Sequence, residues 1–566
     1  MSVLEDIFAQ LEKSKDLPIV QEIRDGQIIS VNGGELLEMV GKARAFISTH
    51  GLKKGDRCGL LAHNGIRWAA IDLAMMAEGA IVVPLYARQS FVELVAMMRD
   101  SSPVFVCCED AALRDGIHRQ WPEGPECYLF DQIFASHASA AGKSRLADSD
   151  PVTIIYTSGT SGEPKGVVLT AGNVKFMLGN TSGRLDILMQ HFKSDTPDGS
   201  GAGSGGATAI PRRDQVFHYL PFCFAASWLL LLTCLLRGSR LALATDLTKL
   251  AGDMRLAEAD YFLNVPALLE RMRKGIDEQM EKTGGAALMI YRHAKAAWTR
   301  KQDGRPKFAD GMWLSLANSL VFPTIRKKLV GKNLKALISG SAPLNLETQL
   351  FFTMLGIPVL QAYGLTETTG ICTLDDPRQF EPGHVGPAID GIEMKLAEND
   401  EIVVRGPNVF AGYWSRSPET AKALRDGWFH TGDQGEISEK GNWRIIGRLK
   451  NLIILGSGHN IAPEPIEDKL REIIPGAQQV VLVGNGRGYL SALVTGSVSP
   501  QAIQAAIDQV NAQLPHYKQV RAYHVHAEPF SVDNGLLTVN GKLKRDQITA
   551  RLDEEIESIY RAKQAS

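Results

Sequence analysis

Excess charge of either sign is nearly absent from this sequence. Its 61 lysine and arginine residues are matched by 63 aspartate and glutamate residues, which leaves a formal net charge of −2. A chain with this balance has no general attraction for nucleic acid, so we expect no nucleic-acid partner, although a local basic patch is compatible with the balance.

Cysteine is scarce, and its spacing excludes the common metal sites and disulfide frameworks. The chain has 7 cysteines, with no C-x-x-C pair and no cysteine–histidine ligand spacing. Cys107 and Cys108 are adjacent, which suits neither a routine disulfide nor a zinc site. We therefore predict buried free thiols in a reducing compartment, and a cytoplasmic location.

Long uncharged runs are also rare. One run, from Phe217 to Leu236 (FHYLPFCFAASWLLLLTCLL), is long enough in principle to cross a bilayer. His218 and Pro221 interrupt it and its continuous apolar part is too short, so it predicts a core strand, loop and helix. The first residues, MSVLEDIFAQLEKSKD, lack the basic and apolar regions of a secretion signal, and we expect none.

The first part of the chain alternates between strand and helix patterns. From about residue 56, DRCGLLAHN and AIVVPLY read as strands on either side of the helical stretch IRWAAIDLAMMAEG. This alternation predicts a mostly parallel sheet with helices on its faces. Beyond Gly447 the pattern changes to short strands and helices, which predict a smaller α+β domain with Lys450 near the joint.

Two further segments have an unusual composition. The stretch from Gly199 to Gly206, GSGAGSGG, predicts a flexible surface loop. Residues 270–332 are helix-rich and basic, and they include the apolar cluster MWLSLANSLVF. That cluster is compatible with core packing and with a lipid-facing role, and both alternatives stay open.

The stretch from Tyr156 to Thr170, YTSGTSGEPKGVVLT, has the composition of an anion-binding loop. Glycine lets backbone N–H groups approach an anion, the hydroxyls donate further hydrogen bonds, and Lys165 adds a charge, so phosphate is the natural ligand. It is not a Walker A loop, because Glu163 and Pro164 separate Gly162 from Lys165. On this stretch alone, a plain turn and a phosphate site are equal alternatives.

Other small or polar groups follow predicted strands. The segment GSAP (340–343) follows LKALIS, and QAYGLTETT (361–369) follows GIPVL. Ligands of α/β sheets bind past such strand ends. Three more blocks come later in the chain: GWFHTGD (427–433), GRLK (447–450) and LTVNGK (537–542).

These blocks, in this order, resemble the adenylate-forming superfamily, which includes acyl-CoA synthetases, firefly luciferase and the adenylation domains of peptide synthetases. The resemblance covers roughly residues 20 to 550. It implies a large α/β N-terminal domain with mostly parallel sheets, the AMP-binding domain, over residues 1–449. It also implies a smaller, mobile α+β C-terminal domain over residues 450–566.

The resemblance also implies a role for each matching residue. Binding of ATP phosphates is implied for Thr157, Ser158, Gly159, Thr160, Ser161, Gly162, Lys165 and Thr366. Contact with the adenine is implied for Gly340, Ser341, Ala342 and Tyr363, and with the ribose hydroxyls for Asp433 and Arg448. Gly364, beside Tyr363, is implied to belong to the nucleotide site. Glu367 is implied to bind Mg²⁺, and Lys450 is implied to act as a hinge between the domains. Gly458 is implied to border the path of the CoA thiol. Lys542 is implied to reach the substrate carboxylate and the α-phosphate. The alternatives are that Glu367 caps a helix and that Asp433 and Arg448 form a surface ion pair.

Within the superfamily, the helix-rich region 270–332 and the final block GLLTVNGKLKR are similar to long-chain fatty acid–CoA ligases. This branch implies fatty acid, ATP and CoA as substrates, with Mg²⁺. A fatty-acyl-AMP ligase that passes the acyl group to a separate carrier protein is the alternative enzyme. It is disfavoured because GRLKNLIILGSGHNIAP has no insertion after the hinge, because Gly458 is present, and because we expect no carrier-protein domain after Lys542.

A catalytically silent acyl- or nucleotide-binding homologue is the alternative outside the enzymes, and peripheral membrane association and a homodimer both stay open. One block departs from the superfamily pattern. Many relatives have a histidine in L-P-L-x-H, where this chain has Phe224 in LPFCF. The geometry of the acyl pocket therefore does not follow from the resemblance.

Overall fold

The computed structural model describes residues 2–135, 146–158, 164–192, 213–538 and 541–562, and the GSGAGSGG segment lies outside them. The helices are α1 Val3–Lys13, α2 Gly33–Thr49, α3 Ile66–Ala77, α4 Phe91–Ser101, α5 Ala111–Gln120, α6 Phe130–Phe134, α7 Ala171–His191, α8 Ala225–Arg237, α9 Leu250–Ala257, α10 Pro266–Thr283, α11 Gly285–Gln302, α12 Asp310–Leu320, α13 Phe322–Val330, α14 Leu346–Met354, α15 Ser417–Ala423, α16 Glu464–Ile473, α17 Pro500–Asn511, α18 Arg545–Arg551 and α19 Asp553–Ala562.

The strands are β1 Pro18–Arg24, β2 Gln27–Asn32, β3 Arg57–Ala62, β4 Ile81–Tyr86, β5 Phe105–Cys108, β6 Glu126–Leu129, β7 Pro151–Ser158, β8 Pro164–Thr170, β9 Gln215–His218, β10 Arg240–Ala244, β11 Tyr261–Asn264, β12 Ala336–Ser339, β13 Val359–Tyr363, β14 Thr373–Leu374, β15 Glu393–Leu396, β16 Glu401–Arg405, β17 Gly412–Tyr413, β18 Leu424–Arg425, β19 Trp428–Ile437, β20 Trp443–Arg448, β21 Ile453–Ile454, β22 Asn460–Ile461, β23 Ala477–Val483, β24 Leu490–Gly496 and β25 Val520–His526.

Two large sheets form the first domain. One has the order β14-β13-β12-β11-β9-β10-β1-β2, with parallel pairing except at its two edges. The other has the order β17-β8-β7-β4-β3-β5-β6, with antiparallel pairing confined to the β17-β8-β7 edge. The predicted α/β architecture with mostly parallel sheets is confirmed, and β3 and β4 flank α3 as the strand–helix alternation indicated.

The uncharged run from Phe217 to Leu236 is part of the core. It enters the sheet as β9 and continues as α8, in which Trp228 and Leu231 are buried. Helix α8 packs in one hydrophobic cluster with α1, α2, α3 and α7. The predicted strand, loop and helix are therefore confirmed, and none of the described helices combines the length and apolarity that a membrane crossing needs.

The thiols of this chain agree with the prediction from their spacing. All seven cysteines are free and buried. Burial raises the pKa of the Cys223 thiol, which lies beside Phe224, to about 12. The Cys223 thiol therefore stays protonated and unreactive at neutral pH.

The C-terminal part has its own sheet and its own core. After a small antiparallel sheet built around β16, β19 and β20, the chain makes a short 3₁₀ turn at Leu449–Asn451 and enters the hairpin β21–β22. The sheet β23-β24-β25 follows, with α16 and α17 packed in one cluster and α18 and α19 in another. This is the smaller α+β domain that the sequence predicted, while the boundary at residues 449/450 stays a prediction.

The helix-rich region is a run of four helices, α10 to α13. The apolar cluster within it divides between two environments. Ala317 and Phe322 are buried in a second hydrophobic cluster, whereas Met312 and Leu320 are exposed. Core packing therefore explains only one side of this cluster.

Candidate active site

The predicted adenine segments meet at the ends of neighbouring parallel strands. Strands β12 and β13 pair in register, with Ser339 opposite Gln361, so Gly340 and Gly364 leave the sheet at the same edge. The backbone N–H of Gly340 donates to the carbonyl of Asn264 at 3.1 Å, which adds the end of β11 to this edge. Three strand ends thus converge where α/β sheets bind ligands.

Backbone geometry explains the small residues in these two segments. A Cβ at Gly364 would lie 2.4 Å from the Cα of Ile371, so no side chain fits there. Ser341 has a φ of 72°, in the left-handed region that non-glycine residues rarely occupy. Ser341 and Ala342 are exposed beside this edge. The strained backbone at Ser341 marks the segment as a binding-site candidate.

Asp433 is the centre of a buried hydrogen-bonded group. The Tyr363 hydroxyl donates to its Oδ2 at 2.9 Å, and the Arg448 Nε donates to its Oδ1 at 2.8 Å. Strand pairing produces this arrangement, because β19 and β20 place Asp433 directly opposite Arg448. Burial raises the pKa of Asp433, while Arg448 and Tyr363 act in the opposite direction. The ion pair predicted as one alternative is present, but its carboxylate lies inside the protein.

Glu367 lies in a short 3₁₀ turn, Thr366–Thr368, and is oriented by a tyrosine that sequence reasoning missed. The Tyr413 hydroxyl donates to Glu367 Oε1 at 2.9 Å. Burial raises the pKa of Glu367, and the bond from Tyr413 partly offsets this effect. Tyr413 is part of the stretch GYW, whose spacing carries no signal; only the pairing of β17 with β8 brings it here.

The phosphate-loop prediction falls partly on the paired strands β7 and β8. Strands β7 and β8 pair with Thr157 opposite Lys165, while Gly159, Thr160, Ser161 and Gly162 lie outside the described residues. The Lys165 ammonium lies 5.4 Å from the centroid of the Tyr413 ring. Tyr413 therefore contacts both Lys165 and the carboxylate of Glu367.

Lys542 approaches this site from the smaller domain. It lies in a turn in which its N–H donates to Thr538 Oγ1 at 3.0 Å, and the residue itself remains exposed. Its surroundings lower the pKa of the ammonium, first because water is partly excluded and then because Arg448 is close, although Asp433 and Glu367 attract the charge. The two domains thus bring a cation to the two carboxylates.

Lys450 and Gly458 occupy different parts of the domain junction. Lys450 lies in the turn Leu449–Asn451, and burial followed by the charge of Arg448 lowers its pKa. Gly458 has a φ of +83° in an exposed turn between β21 and β22, with open space around it. The structure therefore places Lys450 beside the Asp433 group and Gly458 apart from it.

Phe224 stands at the start of α8, beside an apolar cleft. Its ring centroid lies 6.1 Å from that of Tyr86. The lining of the cleft includes Trp68, Leu85, Tyr86, Tyr219 and Phe222, together with the polar side chains of His63, Asn64 and Arg88. His218 does not replace the absent histidine, because it is fully buried, stacks on Phe222 and pairs with Ser227. Burial lowers the pKa of His218 to about 4, so it is neutral in the core.

The residues fit a magnesium ion that is bound mainly through a nucleotide. No group of three or more described His, Cys, Asp or Glu residues could hold a metal ion by itself. Mg²⁺ is usually bound through one or two carboxylates together with phosphates and water. The oriented carboxylate of Glu367, on the side of the site where Lys165 lies, meets that requirement.

Comparisons with known proteins agree with this geometry. Residues 7–414 match the AMP-binding enzyme family, and residues 450–564 match the AMP-binding enzyme C-terminal domain. The long-chain-fatty-acid–CoA ligase FadD15 of Mycobacterium bovis is 27% identical over 98% of this chain and 96% of its own length. The chloroplastic long-chain-fatty-acid–[acyl-carrier-protein] ligase AEE15 of Arabidopsis thaliana is 26% identical over 90% of this chain and 80% of its own length.

Among solved structures, ATP-bound MatB from Rhodopseudomonas palustris superposes with a TM-score of 0.71 at 23% identity, covering 98% of this chain and 99% of that one. At this identity the likeness shows the fold, and it confirms the two-domain architecture of the adenylate-forming enzymes. The chain therefore belongs to the AMP-binding enzyme family, as the order of its sequence blocks indicated.

Proposed function

We propose that this protein is an ATP-dependent fatty acid–CoA ligase whose substrates are long-chain acids. It activates the acid as an acyl-adenylate with release of pyrophosphate, and then transfers the acyl group to CoA with release of AMP. The observation that carries the proposal is the pair of oriented carboxylates, Asp433 bonded to Tyr363 and Arg448 and Glu367 bonded to Tyr413, whose charges act on the Lys542 ammonium of the smaller domain.

The charges of the site suit the first step. A carboxylate that attacks the α-phosphate approaches a group of its own sign, so a cation at the reacting atoms lowers the barrier. Lys542 supplies that cation. Lys165 and Thr366 are proposed to bind the phosphates, and Mg²⁺, when bound through Glu367, neutralises further phosphate charge.

The Asp433 group suits recognition of the nucleotide. Each carboxylate oxygen has two lone pairs, so Asp433 retains acceptor capacity for ribose hydroxyls beside its bonds to Tyr363 and Arg448. Those two bonds fix the carboxylate before the nucleotide arrives, which lowers the entropic cost of binding. Gly340, Ser341, Ala342 and Gly364 are proposed to border the adenine at the same sheet edge.

The acyl chain is proposed to enter the apolar cleft beside Phe224. The aromatic side chains of this cleft suit a hydrocarbon chain, since removing apolar surface from water is the main source of its binding energy. With phenylalanine in place of the superfamily's histidine, the mouth of the cleft has no titratable side chain at that position.

The acceptor is proposed to be CoA, with a separate acyl carrier protein as the alternative. Most relatives compared carry the name CoA ligase or acyl-CoA synthetase, while one is named an acyl-carrier-protein ligase. We propose a cytoplasmic location on the basis of the seven free thiols. Fatty acid, ATP and CoA are the proposed small-molecule partners. A membrane surface, contacted through α11 and α12, is a further proposed partner.

The test is a panel of saturated acids, from octanoate to stearate, with purified protein, Mg²⁺, ATP and CoA. Release of AMP and formation of acyl-CoA with the longer acids is the expected result. AMP release only when a carrier protein replaces CoA would select the alternative acceptor. Release of ADP would contradict the proposal, and the absence of ATP–pyrophosphate exchange would identify a silent binding homologue.

A further inference from the structure

The connection between α11 and α12 presents an unusually exposed aromatic side chain. Phe308 is fully exposed, in a stretch from Lys301 to Ala309 whose every residue is exposed. On the following helix, Met312 and Leu320 are 54% and 62% exposed. They are eight residues apart, about two helical turns, so both lie on the same side of the helix. Met289 on α11 is 49% exposed. We call Phe308 and Met312, which are four residues apart where the connection enters α12, the apolar tip.

The connection that carries Phe308 is held in a fixed shape. Asp310 is buried and accepts hydrogen bonds from Arg300 Nε at 3.1 Å and from the backbone N–H of Lys307 at 2.7 Å. The N–H of Arg305 donates to the carbonyl of Arg300 at 2.9 Å. These contacts lower the pKa of Asp310 to about 2, so the ion pair persists at any physiological pH. Phe308 is thus displayed outward by a constrained turn.

The helices beneath the tip are anchored on the protein. Tyr291 and Ala294 of α11 and Ala317 of α12 are buried in the second hydrophobic cluster. The exposed His293 stacks on Trp313 with ring centroids 4.3 Å apart, which joins the two helices to each other. The inward faces of α11 and α12 therefore have their packing partners, and only the outward face leaves its apolar groups in water.

The charge around the tip is strongly positive. Residues 284–332 contain ten lysines and arginines and two acidic residues, a net charge of +8, whereas the whole chain has −2, which leaves −10 for the remainder. Arg292, Lys295, Arg300 and Lys332 are in ion pairs. Lys301, Arg305, Lys327 and Lys328 form no ion pair with a carboxylate in the part of the chain that the structure describes, while the charge of Lys307 acts on Asp310.

We infer that the apolar tip docks on an anionic phospholipid bilayer, with Phe308 and Met312 inserted among the headgroups and the surrounding lysines and arginines against the lipid phosphates. A bilayer fits better than a protein groove, because the exposed Phe308 and Met312 side chains belong to a segment of net charge +8. The interface of an anionic bilayer offers apolar and negative groups together, which is what this surface complements.

The first test measures partition of the full chain onto vesicles by flotation. Vesicles of phosphatidylcholine with about 30% phosphatidylglycerol are expected to bind it at low salt, while pure phosphatidylcholine vesicles bind it weakly. Phe308→Ser combined with Met312→Ser should lower the partition by at least about tenfold. Lys301→Gln and Lys307→Gln should each lower it about fivefold, and only on the anionic vesicles.

Matched controls come from exposed residues elsewhere. Val92→Ser removes an apolar side chain on α4 that, at 66%, is at least as exposed as Met312, and Lys422→Gln with Lys440→Gln removes two exposed lysines. These variants should bind like the parent chain. If they lose as much binding as the tip variants, or if the tip variants bind normally, the proposal is overturned.

The second test reports insertion directly. Because the native cysteines are all buried, Phe308→Cys can be labelled selectively with an environment-sensitive fluorophore. The label should shift to the blue and be quenched by brominated lipid, whereas the same label at Val92→Cys should not. A label that stays in water on bound protein overturns the proposal. So does light scattering that shows self-association of the chain, lost in the Phe308→Ser variant, without vesicle binding.

Discussion

At the scale of single residues, Lys542 is proposed to act in only one of the two half-reactions, the formation of the acyl-adenylate. Lys542→Ala removes the cation that faces the α-phosphate, and loss of one charge-assisted contact in a transition state costs about 3 kcal/mol, or at least about a hundredfold in rate. We expect ATP–pyrophosphate exchange to fall by that factor, while acyl-CoA formation from supplied acyl-AMP stays near the parent rate.

The nearby Lys544→Ala variant is the control, because it removes a lysine of the same segment without a proposed role. Equal losses in both half-reactions of Lys542→Ala would contradict this assignment.

Tyr413 is a positioning residue whose effect is specific to the nucleotide. Tyr413→Phe keeps the ring beside Lys165 and removes the hydroxyl that donates to Glu367. A hydrogen bond to a charged group contributes about 1.5–3 kcal/mol, so KM for magnesium–ATP should rise roughly tenfold or more, while KM for the fatty acid changes little.

Tyr523→Phe is the matched control, since that hydroxyl donates to a backbone carbonyl in the smaller domain. A Tyr413→Phe variant with an unchanged requirement for Mg²⁺ and ATP would remove Tyr413 from the site.

At the scale of elements, α3 and α8 are joined inside the core by a buried acid. Trp228 Nε1 donates to Asp72 Oδ2 at 2.9 Å, and burial raises the pKa of Asp72 from 3.8 to about 7. The folded state therefore keeps the proton that the unfolded chain loses above pH 4. The stabilisation is complete below the unfolded pKa of 3.8 and is lost as the pH rises to about 7.

Asp72→Asn is expected to abolish this dependence, because the amide is neutral and its oxygen still accepts from Trp228. At pH 7.5 the variant should be more stable by up to about 4 kcal/mol, measured as a higher unfolding temperature, and the difference should shrink towards pH 4. A pH-independent difference, or a loss of stability at pH 7.5, would show that burial does not raise the pKa of Asp72.

At the scale of the whole molecule, contacts between the two domains fix their relative position. Arg471 lies 3.3 Å from Glu270, and Asn345 Nδ2 donates to Glu472 Oε2 at 2.7 Å, so polar contacts of α16 hold the smaller domain on the larger one. Both half-reactions need the space over the α-phosphate, and we propose that rotation at Lys450 exchanges Lys542 for the loop at Gly458.

Lys450→Pro fixes φ near −65° and removes the N–H, and it should trap the present arrangement. ATP–pyrophosphate exchange is expected to stay within about tenfold of the parent, while CoA-dependent turnover falls much further. Lys450→Ala, which keeps the backbone free, should behave like the parent in both assays. Equal effects of proline on the two half-reactions would mean that the joint is not at Lys450.

The sequence alone determined the features that depend on neighbouring residues. The period of apolar residues predicted β3, α3 and β4, and the change of pattern after Gly447 predicted the second domain, because local periodicity reports which face of an element is buried. The order of the blocks from Tyr156 to Lys542 was enough to indicate the family. Each block is a short loop whose glycines and polar groups have a local function.

Only the tertiary structure decided the features that join distant parts of the chain. Tyr413 reaches Glu367 because β17 pairs with β8, more than 240 residues earlier, and no local pattern records that pairing. The apolar cluster from Met312 to Phe322 looked uniform in sequence, yet packing buried Ala317 and Phe322 and left Met312 and Leu320 in water. Burial and electrostatic environment are set by what packs against a residue, and for these residues the partners come from other elements.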